Sequence, residues 1–143
     1  MRYMSTPLSI RFSPGLLERL RGRAESTPGA TASGLAQRLV EEGLRMADHP
    51  GLVFKDGPSG RRAAVAFGPD VWEVVKVLRE IDERGDAAVP AAAELLALPE
   101  AKVRVALHYY SAHTDEIDRE IAEADRLSTE AEAAWRTEQR LLA

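Results

Sequence analysis

The segment Leu8-Ser9-Ile10-Arg11-Phe12 constrains this chain more than any other. Leu8, Ile10 and Phe12 alternate with Ser9 and Arg11, the period-two pattern of a short strand with one apolar face. Ser13-Pro14 ends the pattern and starts a helix, with Ser as N-cap and Pro at the first helical position. That helix runs to about Ser26, with Leu16, Leu17, Leu20 and Ala24 on one side. Thr27-Pro28-Gly29-Ala30 breaks it. A second helix starts near Thr31 or Ser33 and runs to about Ala47, with Leu35, Leu39, Val40 and Leu44 at helical spacing. One strand and two helices leave the strand unpaired, and a lone strand with an apolar face needs a partner. The pattern therefore predicts an obligate dimer in which residues 8–12 pair antiparallel with their twin. Leu8, Ile10 and Phe12 then cover the shared core, and Ser9 and Arg11 project from the opposite face.

Asp48-His49-Pro50-Gly51 marks the first candidate boundary. Leu52-Val53-Phe54 reads as a strand, residues 56–60 as a turn cluster, and Arg61 to Phe67 as a returning strand. After Gly68-Pro69, Asp70 and Glu73 have the spacing of a capping box. They open a helix to about Arg84 that buries Val71, Val74, Val75, Leu78 and Ile81. Pro90 opens a short helix from Ala91 to Ala97, and Pro99 opens another from Glu100 to about His113, a helix-turn-helix outline. Residues 114–143 contain no Gly or Pro and predict one long helix. The chain thus reads as mainly α in three segments: 1–47, 48–113 and 114–143.

The last segment carries a narrow apolar stripe through Ile117, Ile121, Ala124, Leu127 or Ser128, Ala131, Ala134, Trp135, Leu141 and Leu142. A helix of that length projects beyond a small body, so the stripe needs its own twin, another protein's groove, or the chain's own core. For a partner, the contacts are Ile117, Ile121, Leu127, Trp135 and Leu141, with Trp135 as anchor.

The net charge of −4 conceals an asymmetry. Residues 1–79 carry 12 basic and 8 acidic side chains, and residues 80–143 carry 7 and 15. A basic front suits nucleic acid and an acidic back suits a basic protein. Cysteine is absent, which excludes disulfides, thiol catalysis and zinc-thiolate sites. No apolar run reaches the length of a membrane span, and the first residues lack the apolar core of a secretory signal, so a cytoplasmic protein is expected. His108 and His113 are five apart, which puts them on different faces of a helix, and no metal site is expected. No glycine-rich phosphate loop or nucleophile motif is present, and the carboxylates of residues 115–138 lie along one helix. The expectation is a non-enzyme without cofactor.

Residues 8–47 resemble the ribbon-helix-helix repressors, the family of Arc, MetJ and CopG. The resemblance rests on the alternating strand, the Ser-Pro start, the Thr/Ser-marked second helix and its ending Glu-Glu-Gly-Leu-Arg. It implies a two-stranded ribbon in the DNA major groove, with Ser9 and Arg11 as base readers. It also implies that Thr31 and Ser33 hold a phosphate at a helix start, while Arg2, Arg19, Arg21, Arg23 and Arg38 add non-specific attraction. Residues 48–113 resemble a small domain found in bacterial antitoxins beside PIN-type ribonuclease toxins. Its marks here are His49-Pro50-Gly51, Gly60-Arg61-Arg62 for a usual Gly-Thr-Arg, and Tyr109-Tyr110 before an acidic helix. In that domain Arg61 and Arg62 are the better nucleic-acid candidates, and a packing or interaction module is the expected role.

Together these resemblances imply a homodimeric antitoxin that represses its own operon and silences a PIN-type ribonuclease toxin, with the possibility of higher order on operator DNA. A stand-alone repressor and a dimeric adaptor that does not bind DNA remain alternatives.

Overall fold

The computed structural model describes residues 5–58 and 60–143. Arg2 and Ser59, expected in the basic front and the hairpin turn, lie outside the described residues. Among these residues the chain forms six α-helices and one two-stranded antiparallel sheet, so the mainly helical class stands. The elements are α1 (Pro14–Glu25), α2 (Ala32–Asp48), β1 (Leu52–Gly57), β2 (Gly60–Val65), α3 (Val71–Glu80), α4 (Ala88–Leu96), α5 (Glu100–Ala112) and α6 (Thr114–Leu142). No described helix is long and apolar enough to cross a membrane. The chain divides into two compact units, Met1–Leu44 and Arg45–Ala143. The division falls inside α2, three residues before the expected boundary, and residues 114–143 belong to the second unit rather than to a third.

In the first unit Pro14 opens α1, and the Ser13 hydroxyl accepts from the Leu16 N–H at 3.4 Å. Thr31, not Ser33, caps α2: its hydroxyl accepts from the Gly34 N–H at 3.0 Å. Among the described residues of this unit, only Ala24 and Leu35 are buried apolar residues. Leu8 is 81% exposed, and Ile10, Phe12, Leu16, Leu39, Val40 and Leu44 are exposed as well. Residues 5–12, expected to contain a strand, take no regular secondary structure in the single chain. A strand consists of hydrogen bonds to a second strand, and the two strands among the described residues pair with each other.

The second unit begins with a tight turn. Pro50 and Gly51 occupy its central positions, Gly51 has φ +94°, and the Leu52 N–H returns to the His49 carbonyl at 3.0 Å. A Cβ at Gly51 would also meet Val105 Cγ2 at 3.0 Å, so this glycine answers both to conformation and to space. β1 and β2 then pair in the register Leu52↔Val65 through Gly57↔Gly60. β2 stops at Val65, short of the expected Phe67. Phe67 sits in a turn at φ +55°, where the Gly68 N–H returns to the Val65 carbonyl at 2.9 Å.

α3 opens on Asp70, whose N–H donates to the Glu73 carboxylate at 3.0 Å. It ends at Glu80, four residues before the expected end, because Ile81 leaves helical geometry (φ −72°, ψ 156°) and packs against the core. α4 starts at Ala88, earlier than expected. Pro90 falls in its first turn, where a missing N–H costs nothing. Ala97 closes α4 in a left-handed conformation, with the Leu98 N–H reaching back to the Ala93 carbonyl at 2.9 Å. The core joins Leu52, Ala63 and Val65 of the hairpin to Val71, Val74 and Val75 of α3, Val89, Ala92 and Ala93 of α4, Val103, Ala106 and Tyr109 of α5, and Ile117 and Ile121 of α6.

Candidate functional site

The residues that the ribbon resemblance assigns to DNA lie in the first unit, whereas Arg61 and Arg62 lie in the second. Ser9 and Arg11 are exposed on the extended segment, and Ser33 is exposed in the first turn of α2. Thr31 spends its hydroxyl on the helix cap. Arg38 faces Glu42 one helical turn on, at 3.7 Å, which reduces its availability to phosphate. Arg19, Arg21 and Arg23 line α1 as exposed cations.

The second unit is organised around two consecutive tyrosines at the end of α5. Tyr109 is fully buried. Its hydroxyl donates to Glu116 Oε2 at 2.6 Å, while Arg45 donates to the Tyr109 oxygen and to Glu116 Oε1, both at 2.8 Å. Burial, together with the hydrogen bond to the neighbouring Glu116 carboxylate, raises the Tyr109 pKa well above a free phenol. Tyr110 repeats the pattern nearer the surface: its hydroxyl donates to Asp118 at 2.9 Å, and Arg79 donates to both. The Tyr110 hydrogen bond, with help from Arg79, holds the Asp118 carboxyl below its usual range. Lys76 adds a third tie, to Asp125 at 2.6 Å. These three ties fasten the first half of α6 to Arg45, α3 and α5 within the second unit.

The histidines depart from the helical-spacing expectation. His49 is buried, with its Nδ1 2.9 Å from His108 Nδ1, and its ring lies 5.8 Å from that of His113. His113 is stacked on Tyr109 at 4.4 Å. His113 ends α5 with a non-helical backbone (φ −136°, ψ 46°), so spacing along a helix does not govern where its ring points. Burial, reinforced by the positive potential of His108 and His113, lowers the His49 pKa. The Nδ1–Nδ1 contact requires one ring to donate and the other to accept, so the pair cannot be doubly charged and keep its bond. Among the described residues, no three His, Cys, Asp or Glu side chains form a metal-holding group.

Arg62 does not offer a free cation to nucleic acid. Its Nε lies 2.9 Å from Asp70 Oδ2, Lys55 Nζ lies 2.9 Å from Oδ1 of the same carboxylate, and Trp72 Nε1 donates to Oδ2 at 3.0 Å. Asp70 thus gathers β1, β2 and α3 at one buried point. Arg61 reaches Asp56 across the hairpin at 3.2 Å.

A cavity of about 700 Å³ opens beside this point, lined by residues that include Arg61, Arg62, Trp72, Glu120, Ala124 and Leu127. Glu120 Oε2 is buried there without a hydrogen-bond partner. Burial, with Glu116 and Asp70 adding repulsion, pushes the Glu120 carboxyl up to about 7, against the opposing pull of Arg62 and Arg119. Sequence reading missed Glu120 because it sits among eight other acidic residues of the same helix. Only the packing of the hairpin and α3 singles it out.

The apolar stripe of α6 divides in two. Ile117 and Ile121, expected as partner contacts, are buried in the chain's own core and leave the contact set. Leu127, Trp135, Leu141 and Leu142 are exposed, Trp135 at 58%. From Arg126 onward every residue of the helix is exposed, and the ion pairs there, Arg126 with Glu130 and Arg136 with Glu132, stay within the helix. No family model, curated protein or solved structure matches the chain.

Proposed function

We propose that this protein is a dimeric DNA-binding antitoxin. In this reading residues 8–12 of two copies form a ribbon, α1 and α2 complete a ribbon-helix-helix unit, and Ser9 and Arg11 read base edges in an operator. The distal half of α6 engages and silences a ribonuclease toxin, PIN-like by the resemblance of residues 48–113. One observation carries the reading: among its described residues the first unit buries two apolar residues and leaves seven large ones exposed, beside an extended segment with alternating apolar side chains. Such a unit gains a core by association with a second copy. The exposed arginines of α1 supply the basic surface that DNA binding requires.

Light scattering and a band shift on the DNA upstream of the gene test the reading together. A dimer at micromolar concentration, and binding whose log affinity falls with log salt at about −0.9 per phosphate contacted, are expected. Arg11→Lys should blunt discrimination at one base pair and leave that slope nearly unchanged, because bidentate guanine recognition needs the planar fork. A folded monomer that ignores DNA overturns it. Co-purification with the product of the adjacent gene tests the toxin half.

A further inference from the structure

The cavity along α6 contains none of the residues assigned to DNA or to dimerisation in the proposed function, and Arg61 and Arg62, which line it, face carboxylates. Most of its charges already have partners. Arg62 faces Asp70, Arg61 faces Asp56, Glu116 is held by Arg45 and Tyr109, and Glu123 is held by Arg126. Arg119 is exposed and turns its Nε to the Asp115 carbonyl of its own helix. Glu120 is left over, with a buried oxygen that no donor reaches. A buried acceptor without a donor is costly, and an incoming donor recovers that cost.

The surroundings specify the donor. The Trp72 ring lines the same cavity and is held in place by its Nε1–Asp70 hydrogen bond. A carboxylate beside an aromatic wall suits a cation, above all a planar guanidinium. Ala124 and Leu127 provide apolar lining that matches the methylene stem of such a side chain. Leu127 is also the first exposed residue of the distal stripe, so the cavity and the stripe are continuous. Residues 114–143 carry nine acidic and four basic side chains, which favours a basic partner along that helix.

We propose that this cavity receives an arginine side chain of a basic partner protein lying along α6, with Glu120 as its acceptor and Trp72 as the wall on which it stacks. The proposal rests on the reading of α6 as a partner-binding helix and adds where that partner is gripped.

The test uses the full chain with 15N-labelled tryptophan and the capped peptide acetyl-Gly-Arg-Gly-amide as probe. The Trp72 indole N–H signal is expected to shift saturably with the peptide. The citrulline counterpart, of the same shape without the charge, should bind roughly tenfold more weakly. Glu120→Gln should erase that difference. In the unaltered protein, affinity should fall between pH 8 and pH 6, as protonation of Glu120 removes its negative charge. Equal binding of both peptides, or undiminished preference for arginine in Glu120→Gln, overturns the proposal. So does a Trp72 shift produced by a dT12 oligonucleotide in place of the peptide, which would make Arg61 and Arg62 ligands of a nucleic-acid backbone. Peptide binding without co-purification of the adjacent gene product supports the cavity and counts against the toxin reading; co-purification without peptide binding does the reverse.

Discussion

The Tyr109 hydroxyl donates to Glu116 Oε2 at 2.6 Å, and Arg45 closes the triangle by donating to both partners. The next residue, Tyr110, repeats the arrangement with Asp118 and Arg79. Adjacent residues of a helix point about 100° apart, so the two tyrosines grip α6 from different directions. The first grip is buried and the second is near the surface, which makes their energies separable. Tyr109→Phe should cost about 1–2 kcal/mol, because it leaves a half-buried charged pair short of one hydrogen bond. Tyr110→Phe should cost less than about 1 kcal/mol, as exposed charged contacts do. Urea denaturation of both variants measures the difference, and equal losses would contradict the ranking.

The His49 share of the stability should fall as the pH drops below about 6.5, the ordinary histidine value. The folded state lowers the His49 pKa, so the unfolded chain binds the proton more readily. The contribution is therefore complete above 6.5 and is lost as acidification forces a proton onto His49. Glu120, raised to about 7, acts in the opposite sense over the same range, so melting temperatures between pH 8 and pH 5 should show the decline in the Glu120→Gln background, and adding His49→Gln should flatten it. An unchanged slope in that variant would remove His49 as its origin.

Phe67 is fully exposed at φ +55°, with the Lys102 ammonium 5.9 Å from its ring centre. Its side chain contributes little packing, while its backbone occupies a region that favours glycine. Phe67→Gly should therefore raise stability by up to about 1 kcal/mol. A thermal melt that shows a loss would mean that the ring has a packing role in the folded chain.

Trp135 and the residues beyond Ser128 make no tertiary contact that stability needs, since all are exposed. Trp135→Ala should leave the melting temperature unchanged and weaken binding of a co-purifying partner by about 2 kcal/mol or more. Removal of residues 129–143 should behave alike, whereas removal from Thr114 onward strips Ile117 and Ile121 from the core and should unfold the second unit. Melting curves beside a pull-down separate these cases. A fall in melting temperature with Trp135→Ala would assign the stripe to self-association.

Local signals carried the elements of this protein. Ser13-Pro14, Pro50-Gly51, the Asp70/Glu73 spacing and the absence of Gly and Pro after residue 113 each act within a few residues, and each marks the boundary that the structure has. The ends of α3 and β2 were not legible in the same way. Ile81 leaves its helix and Phe67 falls in a turn because of packing and hydrogen bonds made elsewhere. The site residues divide similarly. Apolar spacing located the stripe of α6, but burial against α3 and α5 decided that Ile117 and Ile121 are core while Leu127 and Trp135 are surface. Spacing set His108 and His113 apart, yet a non-helical backbone at His113 and the turn after His49 bring all three rings together. Nothing in the sequence distinguishes Glu120 from its acidic neighbours. Periodicity reports which face of a helix a residue occupies; what lies against that face depends on chain segments tens of residues away, and only the tertiary structure supplies it.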